Sequence, residues 1–536
     1  MKARIPPLTV LIIALGAALL SLAFTWQGYL AEAGQGLKFL GFRYMAGDHF
    51  QYAGFIRQAR DTGSVFMTDP FTAEPQKGVF VLLYFWVLGV FCRLTGASVT
   101  AAWEVFRVTG VFLYVIIFWF FTESYFEKIR TRILATALFA FGGGLGWLVA
   151  LLRVALFPSL KPLEYPYDYY WNWCTFGTAI VPNWIWPALC LLLACHAVVR
   201  SIRGRDIVVF LLLPTVWFLH AYSGMVAYAL FGLLPLMPLA RAAARLRPLP
   251  WNRARSNLRI ALPGLASFGI VAAYLVWSRS DPVFATISHN GFLWTDSFNL
   301  WWYPLGYGAL LPLAWRGRKP PPKEDPLRSD LILSWLAAAF VLSVQHYYAG
   351  VKFQYLLFPP LALMAARGLQ QIGTKATTHS GWRGVRLAPA ALALVLFLDA
   401  PVSLIKDFPT ARTDDKIFID PADLEAMKFL ERQPDGIVLT SVFNGNRLPW
   451  LAGKTVFAGH WFMTIDVRAK AQMIGEFFSP ATPREHKRGI LVASGARYVY
   501  RGAYEAALSW AVDPSLPLRK IYDSGGVSIY ERPGLR

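Results

Sequence analysis

The sequence predicts a mainly α-helical protein: a polytopic bundle of membrane helices followed by an extracytoplasmic α/β domain. Three observations predict it. Of the 536 residues, 56% are hydrophobic and only 16% are charged, where a soluble chain carries about 25% charge. Apolar runs near the roughly 20 residues that cross a bilayer recur along the first three quarters of the chain. Beyond Lys406 no such run appears, and the composition becomes that of a soluble domain.

The first run, 8–27, follows Lys2 and Arg4 and has no small-residue cleavage site, so it reads as a retained first span. Residues 28–104 follow as an outer loop. Within them, 44–63 reads YMAGDHFQYAGFIRQARDTG and cannot cross, because it holds Asp48, Arg57, Arg60 and Asp61. Tyr52, Phe55, Ile56 and Ala59 fall at i, i+3, i+4 and i+7, one face of a helix, while Gln51, Arg57, Gln58 and Arg60 take the other side. That pattern predicts an amphipathic helix lying on the membrane surface. Asp48 heads it. With Gln51 three residues on, Asp48 fits a capping box; it also fits a catalytic carboxylate held at the membrane face.

The apolar run 79–94 is assigned to the interface rather than to a span. With it left out, the basic clusters in 1–7, 126–132, 200–206, 241–259, 316–328 and 367–386 all fall on one side, the cytoplasmic side of the positive-inside rule. The spans are then 8–27, 105–125, 132–152, 183–199, 207–220, 223–240, 259–278, 299–315, 329–345, 353–369 and 385–404, about eleven by length and hydropathy. The N-terminus is cytoplasmic. The membrane domain covers 1–406, and the domain 407–536 lies outside. In the latter, 437–441, 497–500 and 527–531 read as strands, and 421–431, 466–478 and 483–493 as helices.

The net charge of +20 would suit nucleic acid, but the arginines cluster between apolar runs and no basic face interleaves with aromatics. Nucleic-acid binding is set aside. Cys92, Cys174, Cys190 and Cys195 show neither CxxC nor Cys/His spacing, so neither zinc nor a structural disulfide is expected. There is no GxxxxGK[ST], GxSxG or HExxH. The glycine-rich GGGLGW at 142–147 lies in a span and reads as close helix packing. A cytosolic nucleotide site is missing from the pattern, which points to a membrane-borne substrate.

Chemistry is therefore sought in the outer loops. The first offers Asp48, His49, Asp69 and Glu74, with Tyr52 on the helix. The second, LEYPYDYYWNW, offers Asp168 and Trp171 in a stretch that reads either as an interfacial aromatic belt or as a platform for sugar rings. The third offers Arg279 and Asp281. Short joints add His220 with Tyr222, and His346 with Lys352. Lys352 is a snorkelling cation or a point charge for a lipid phosphate. The candidate catalytic residues are Asp48, His49 and Asp168. The candidate substrate-binding residues are Tyr52, Glu74, Trp171, Arg279, His346 and Lys352.

The layout resembles the GT-C superfamily of membrane glycosyltransferases. The matching residues are Asp48 in GDHFQYAGFIRQARDTG, TDPFTAEP at 68–75, and VLLYFWVLGVFCRLTG leading to Phe106 and Arg107. GGGLGW and AGKTVFAGHWFMTIDVRAK at 452–470 are similar to bacterial membrane proteins of this type. The resemblance implies a polyprenyl-phosphate sugar donor and transfer at the outer face of the plasma (inner) membrane. The acceptor would be a hydroxyl of a saccharide, lipid or protein. It also implies that the loop-one acid, matched here by Asp48 alone, is a base or metal ligand. Many members carry paired acids there. Here the neighbour is His49, which leaves open whether a divalent cation (Mg or Mn) takes part. No WWD-type motif stands in the C-terminal domain, which argues against an oligosaccharyltransferase. Single displacement by an activated hydroxyl would invert the anomeric centre. The alternative is a non-enzymatic transporter, lipid flippase or polymer-export subunit, but no inverted repeat and few acids within spans support it.

Overall fold

The computed structural model describes residues 5–33, 36–148, 174–293, 302–321, 324–345, 350–378 and 415–534, with isolated positions at 152, 156, 397–398, 401–402 and 405. The chain forms two compact units. One comprises Met1–Ala23, Glu104–Tyr274 and Phe292–Asp407; the other comprises Phe24–Trp103, Leu275–Gly291 and Phe408–Arg536.

Membrane-length helices dominate the first unit. Among the described residues five helices are long and apolar enough to cross a bilayer: Leu8–Glu32, Val99–Thr122, Pro182–Val199, Trp251–Ser278 and Pro326–Val344. The chain is thus built to pass through a membrane several times. A sixth crossing exists if Ala221–Leu233 and Met237–Ala243, bent by 58°, act as one. Pro235 stands at that bend, where its ring and missing N–H break the helix. The expected span 299–315 is likewise divided, into Trp302–Tyr307 and Leu310–Gly317, around Gly308 with its positive φ of 47°. The expected span 132–152 holds the helix Ile129–Phe141, 13 residues long, which ends at Gly142, while the expected span 385–404 runs largely outside the described residues. Charged groups at the helix ends are paired: Glu123 with Arg132 at 2.6 Å, Glu324 with Arg367 at 2.7 Å, and Asp330 with Arg241 at 2.9 Å and Arg253 at 2.6 Å. Asp330 is fully buried and also accepts from Asn257 Nδ2, so its charge is compensated as a buried charge must be.

A four-stranded sheet organises the second unit. Its order is Ile437–Leu439, Ala496–Arg501, Val527–Glu531 and Arg519–Ser524. The first pair is parallel and the other two are antiparallel. Helices Val467–Phe478 and Arg484–Ala493 cover it, burying Ile474, Phe477, Phe478 and Leu491 against Leu439 and Val499. The strand Arg519–Ser524 was not expected. It is the polar edge strand RKIYDS, mostly exposed, and lacks the alternation that marks a half-buried strand.

The first loop is woven into this unit. Lys38–Phe39 pairs antiparallel with Phe418–Ile419. The helix Ala46–Thr62 buries Phe55, Ile56 and Ala59 completely. The expectation of a surface helix is corrected on its polar side. Arg57 is buried there, bonded to Glu431 at 2.6 Å, to Asp61 at 3.2 Å and to the carbonyls of Trp450 and Leu451 at 2.9 Å each. Those groups replace the water that an exposed polar face would have used. The helix Leu83–Thr95 has 13 residues, about 20 Å of rise against a hydrocarbon core of roughly 30 Å. It packs on Ala46–Thr62 through Gly89, where a β-carbon would stand 2.5 Å from Ala59 Cβ and 2.6 Å from the Ile56 carbonyl oxygen.

Candidate active site

Asp48 sits in the first turn of Ala46–Thr62, but it is not the cap. The residue before the helix is Met45, in the left-handed region (φ 46°), and its own side chain makes no capping hydrogen bond. The capping-box reading is therefore corrected: the helix starts three residues earlier than the Asp48–Gln51 spacing implied. Asp48 is left with its carboxylate at the positive end of the helix dipole and its side chain 21% exposed.

Its partner comes from the far end of the chain. His460 Nε2 lies 3.1 Å from Asp48 Oδ1, and the imidazole is 2% exposed. The Phe462 backbone N–H donates to His460 Nδ1 at 3.3 Å. A backbone amide can only donate, so Nδ1 is the accepting nitrogen and the ring proton is on Nε2, directed at Asp48. The loop carrying His460 is fixed on both sides. Thr464 accepts from Gly459 N at 2.9 Å and donates to the Phe71 carbonyl at 2.8 Å, and its own N–H closes on the His460 carbonyl at 2.9 Å. Gly459 is pressed against Gly445, whose carbonyl oxygen would lie 2.6 Å from any β-carbon there. Ile465 N donates to Thr72 Oγ1, as does Lys470 Nζ. Glu74 completes the clamp, with an oxygen 2.6 Å from Lys470 Nζ and another bonded to the Thr72 hydroxyl. The stretches 44–63, 68–75 and 452–470 thus meet in one place.

The other candidates sort as follows. His49 is buried, stacked on Phe42 at 5.3 Å and edge-on to Trp103 at 5.1 Å, with Nδ1 bonded to the Tyr44 carbonyl. Tyr52 stacks on Phe85 at 4.8 Å and on Trp103 at 6.0 Å. Both belong to the aromatic packing beneath the helix. Glu74 is committed to Lys470. Asp69 is fully buried; its Oδ1 accepts from Phe71 N at 2.9 Å while Oδ2 finds no hydrogen-bond partner. Burial first, and then the charge of Glu74, push its carboxyl up to about 8. Asp281 is a fixed element of the loop, accepting from Lys77 N at 2.6 Å and Phe284 N at 2.9 Å. Arg279 is exposed.

Lys352 belongs to the first unit. Its ammonium lies 4.9 Å from the centre of the Tyr222 ring. Beside it, His220 Nδ1 lies 2.8 Å from Ser223 Oγ, and Tyr355 stacks on Trp184 at 5.1 Å. Asp168, Trp171 and His346 lie outside the described residues.

For a divalent cation, the site offers Asp48 and a histidine whose second nitrogen is already used. Among the described residues no group of three His, Cys, Asp or Glu gathers anywhere, a donor set short of what Mg or Mn takes. The four cysteines are free. The residue that sequence reasoning missed is His460. Its signal was a histidine between Gly459 and Trp461 in a stretch already singled out for its resemblance.

The fold is that of the GT-C membrane glycosyltransferases. The chain is similar to the oligosaccharyltransferase of Archaeoglobus fulgidus (TM-score 0.54, 13% identity, 98% of this chain and 74% of that one). It is similar to ArnT from Cupriavidus metallidurans bound to undecaprenyl phosphate (TM-score 0.51, 12% identity, 97% and 98%). It is also similar to the arabinofuranosyltransferase AftD from Mycobacteria (TM-score 0.53, 14% identity, 99% and 40%). Other structures of the Archaeoglobus enzyme hold a dolichol-phosphate with an inhibitory peptide, or Zn and sulfate. No protein-family model matches the sequence, and no curated protein matches it.

Proposed function

We propose that the protein transfers a sugar from a polyprenyl-phosphate donor to an acceptor hydroxyl at the extracytoplasmic face of the plasma membrane, with inversion, and that Asp48 is the base. One observation carries the reading. Within a GT-C fold, the loop-one carboxylate is partly exposed at a helix N-terminus and held by a buried histidine. The undecaprenyl phosphate bound by ArnT and the dolichol-phosphate bound by the Archaeoglobus enzyme support a lipid-linked donor here.

The chemistry balances without further reactants. Asp48 takes the proton of the acceptor hydroxyl, the oxygen forms a bond to the anomeric carbon from the side opposite the phosphate, and the bond from that carbon to the phosphate oxygen breaks. Polyprenyl phosphate leaves with the electron pair. A general base supplies about 10²–10⁴-fold in such a step. The developing phosphate charge calls for a cation, for which Lys352 and Arg279 are the candidates. Mg or Mn is kept as an optional addition, with no step assigned to it. The segment 407–536 is proposed to bind the acceptor, a saccharide, lipid or protein.

The test is a panel of polyprenyl-phosphate sugars, each labelled in the sugar, incubated with membranes that contain or lack the protein. Label moving from one donor to a new product, with release of polyprenyl phosphate, is the expected result. Movement of intact donor between leaflets with no sugar–phosphate cleavage would favour the transporter or flippase reading. No cleavage of any donor would overturn the enzymatic one.

A further inference from the structure

We infer that His460 is a positioning residue for Asp48: its Nε2–H fixes the carboxylate and holds it in the ionised form that accepts a proton. The inference rests on the reading of Asp48 as the base.

Exposure decides which member of the pair meets substrate. The Asp48 side chain is 21% exposed, while the imidazole is 2% exposed and has both nitrogens in use, one toward Asp48 and one under the Phe462 amide. The histidine is therefore the support and the carboxylate the working group. A hydrogen bond donated to a carboxylate favours its charged form, and the helix N-terminus acts in the same direction. Orientation is the second contribution. The His460 loop has little freedom, because Thr464 ties it to the Phe71 carbonyl and Gly459 abuts the Gly445 backbone. That rigidity passes to Asp48 through one bond 3.1 Å long. A role in stability alone does not require the N–H to point at a partly exposed acid that no cation of the Thr72–Lys470 clamp holds, as Lys470 holds Glu74; a role in catalysis does.

His460→Phe keeps a planar ring but removes the donor, and His460→Gln restores an N–H near the place of Nε2. The expected result is a fall in kcat of about tenfold or more for His460→Phe. The acidic limb of its pH–rate profile should move to higher pH by about one unit, with donor KM little changed. His460→Gln should recover most of both losses. A His460→Phe enzyme with the wild-type pH profile, or a His460→Gln enzyme no better than His460→Phe, overturns the inference. If His460→Phe does not fold, the ¹⁵N shifts of His460 in the intact protein decide the matter. The Nε2-protonated tautomer, perturbed by Asp48→Asn, supports the inference; an Nδ1-protonated ring contradicts it. An active Asp48→Asn enzyme would sink the base reading itself. An inactive Asp48→Asn enzyme beside an unaffected His460→Phe enzyme would sink only the role of His460.

Discussion

At the scale of single residues, the chain holds two acids whose surroundings set opposite tasks. Asp48 is partly exposed and meets donors. Asp69 is fully buried, with one oxygen lacking a partner, and its carboxyl is pushed up to about 8 from 3.8. The linkage has a definite sign. Below pH 3.8 the carboxyl is protonated in both folded and unfolded chains. As the pH rises toward 8 the unfolded chain has released a proton that the folded chain retains, so stability falls through this window. Each pKa unit is about 1.4 kcal/mol. Asp69→Asn keeps the acceptor for the Phe71 amide and removes the titration. Its melting temperature relative to wild type should be near parity at pH 4 and clearly higher at pH 8–9. A difference that does not change with pH would contradict the buried neutral acid. Asp48 could be picked out from the sequence, because an acid before an apolar helical stripe is conspicuous. His460 could not be paired with it, because 412 positions separate the two and nothing local links them.

At the scale of elements, the helical period of 44–63 was legible and the surroundings of the helix were not. Periodicity tells which side is apolar; it does not tell what covers the polar side. Arg57 shows the difference. Read as solvated, it is in fact buried and bonded to Glu431, Asp61 and two carbonyls 393 and 394 positions away. Arg57→Ala would leave the Trp450 and Leu451 carbonyls without their donor while the half-exposed Glu431 and Asp61 regain water, and should lower stability by about 1–3 kcal/mol, the cost of unsatisfied acceptors. Thermal melting and protease sensitivity of purified protein would measure it, and an unchanged melting temperature would show the bonds to be incidental. The short helix Leu83–Thr95 was legible for a different reason. The distribution of arginines spoke against a span, and the helix within that run has 13 residues. The helices Pro421–Glu431 and Arg484–Ala493 were legible from Pro at or before their first turn.

At the scale of the whole molecule, the sequence pattern read from composition and spacing pointed to a membrane bundle with a mixed α/β segment, and the fold has GT-C neighbours. The count of spans was harder to read, because prolines and glycines divide apolar runs into pieces shorter than a bilayer, as at Pro235 and Gly308. The proposed arrangement, with a cytoplasmic N-terminus and an external C-terminal segment, makes a direct prediction. Reporter fusions after Thr131 should give a cytoplasmic signal and fusions at Gly525 an external one. A cytoplasmic signal at Gly525 would refute the eleven-span topology.

The central claim is that Asp48 removes the acceptor proton. Asparagine at this position keeps the size of the side chain and its oxygen toward His460 but cannot take up a proton. The deciding measurement is the rate of sugar transfer by purified Asp48→Asn protein with the donor found in the panel, alongside its melting temperature. The expected result is a melting temperature within a degree or two of wild type and a transfer rate lower by about 10²–10⁴-fold. Transfer at close to the wild-type rate would contradict the claim.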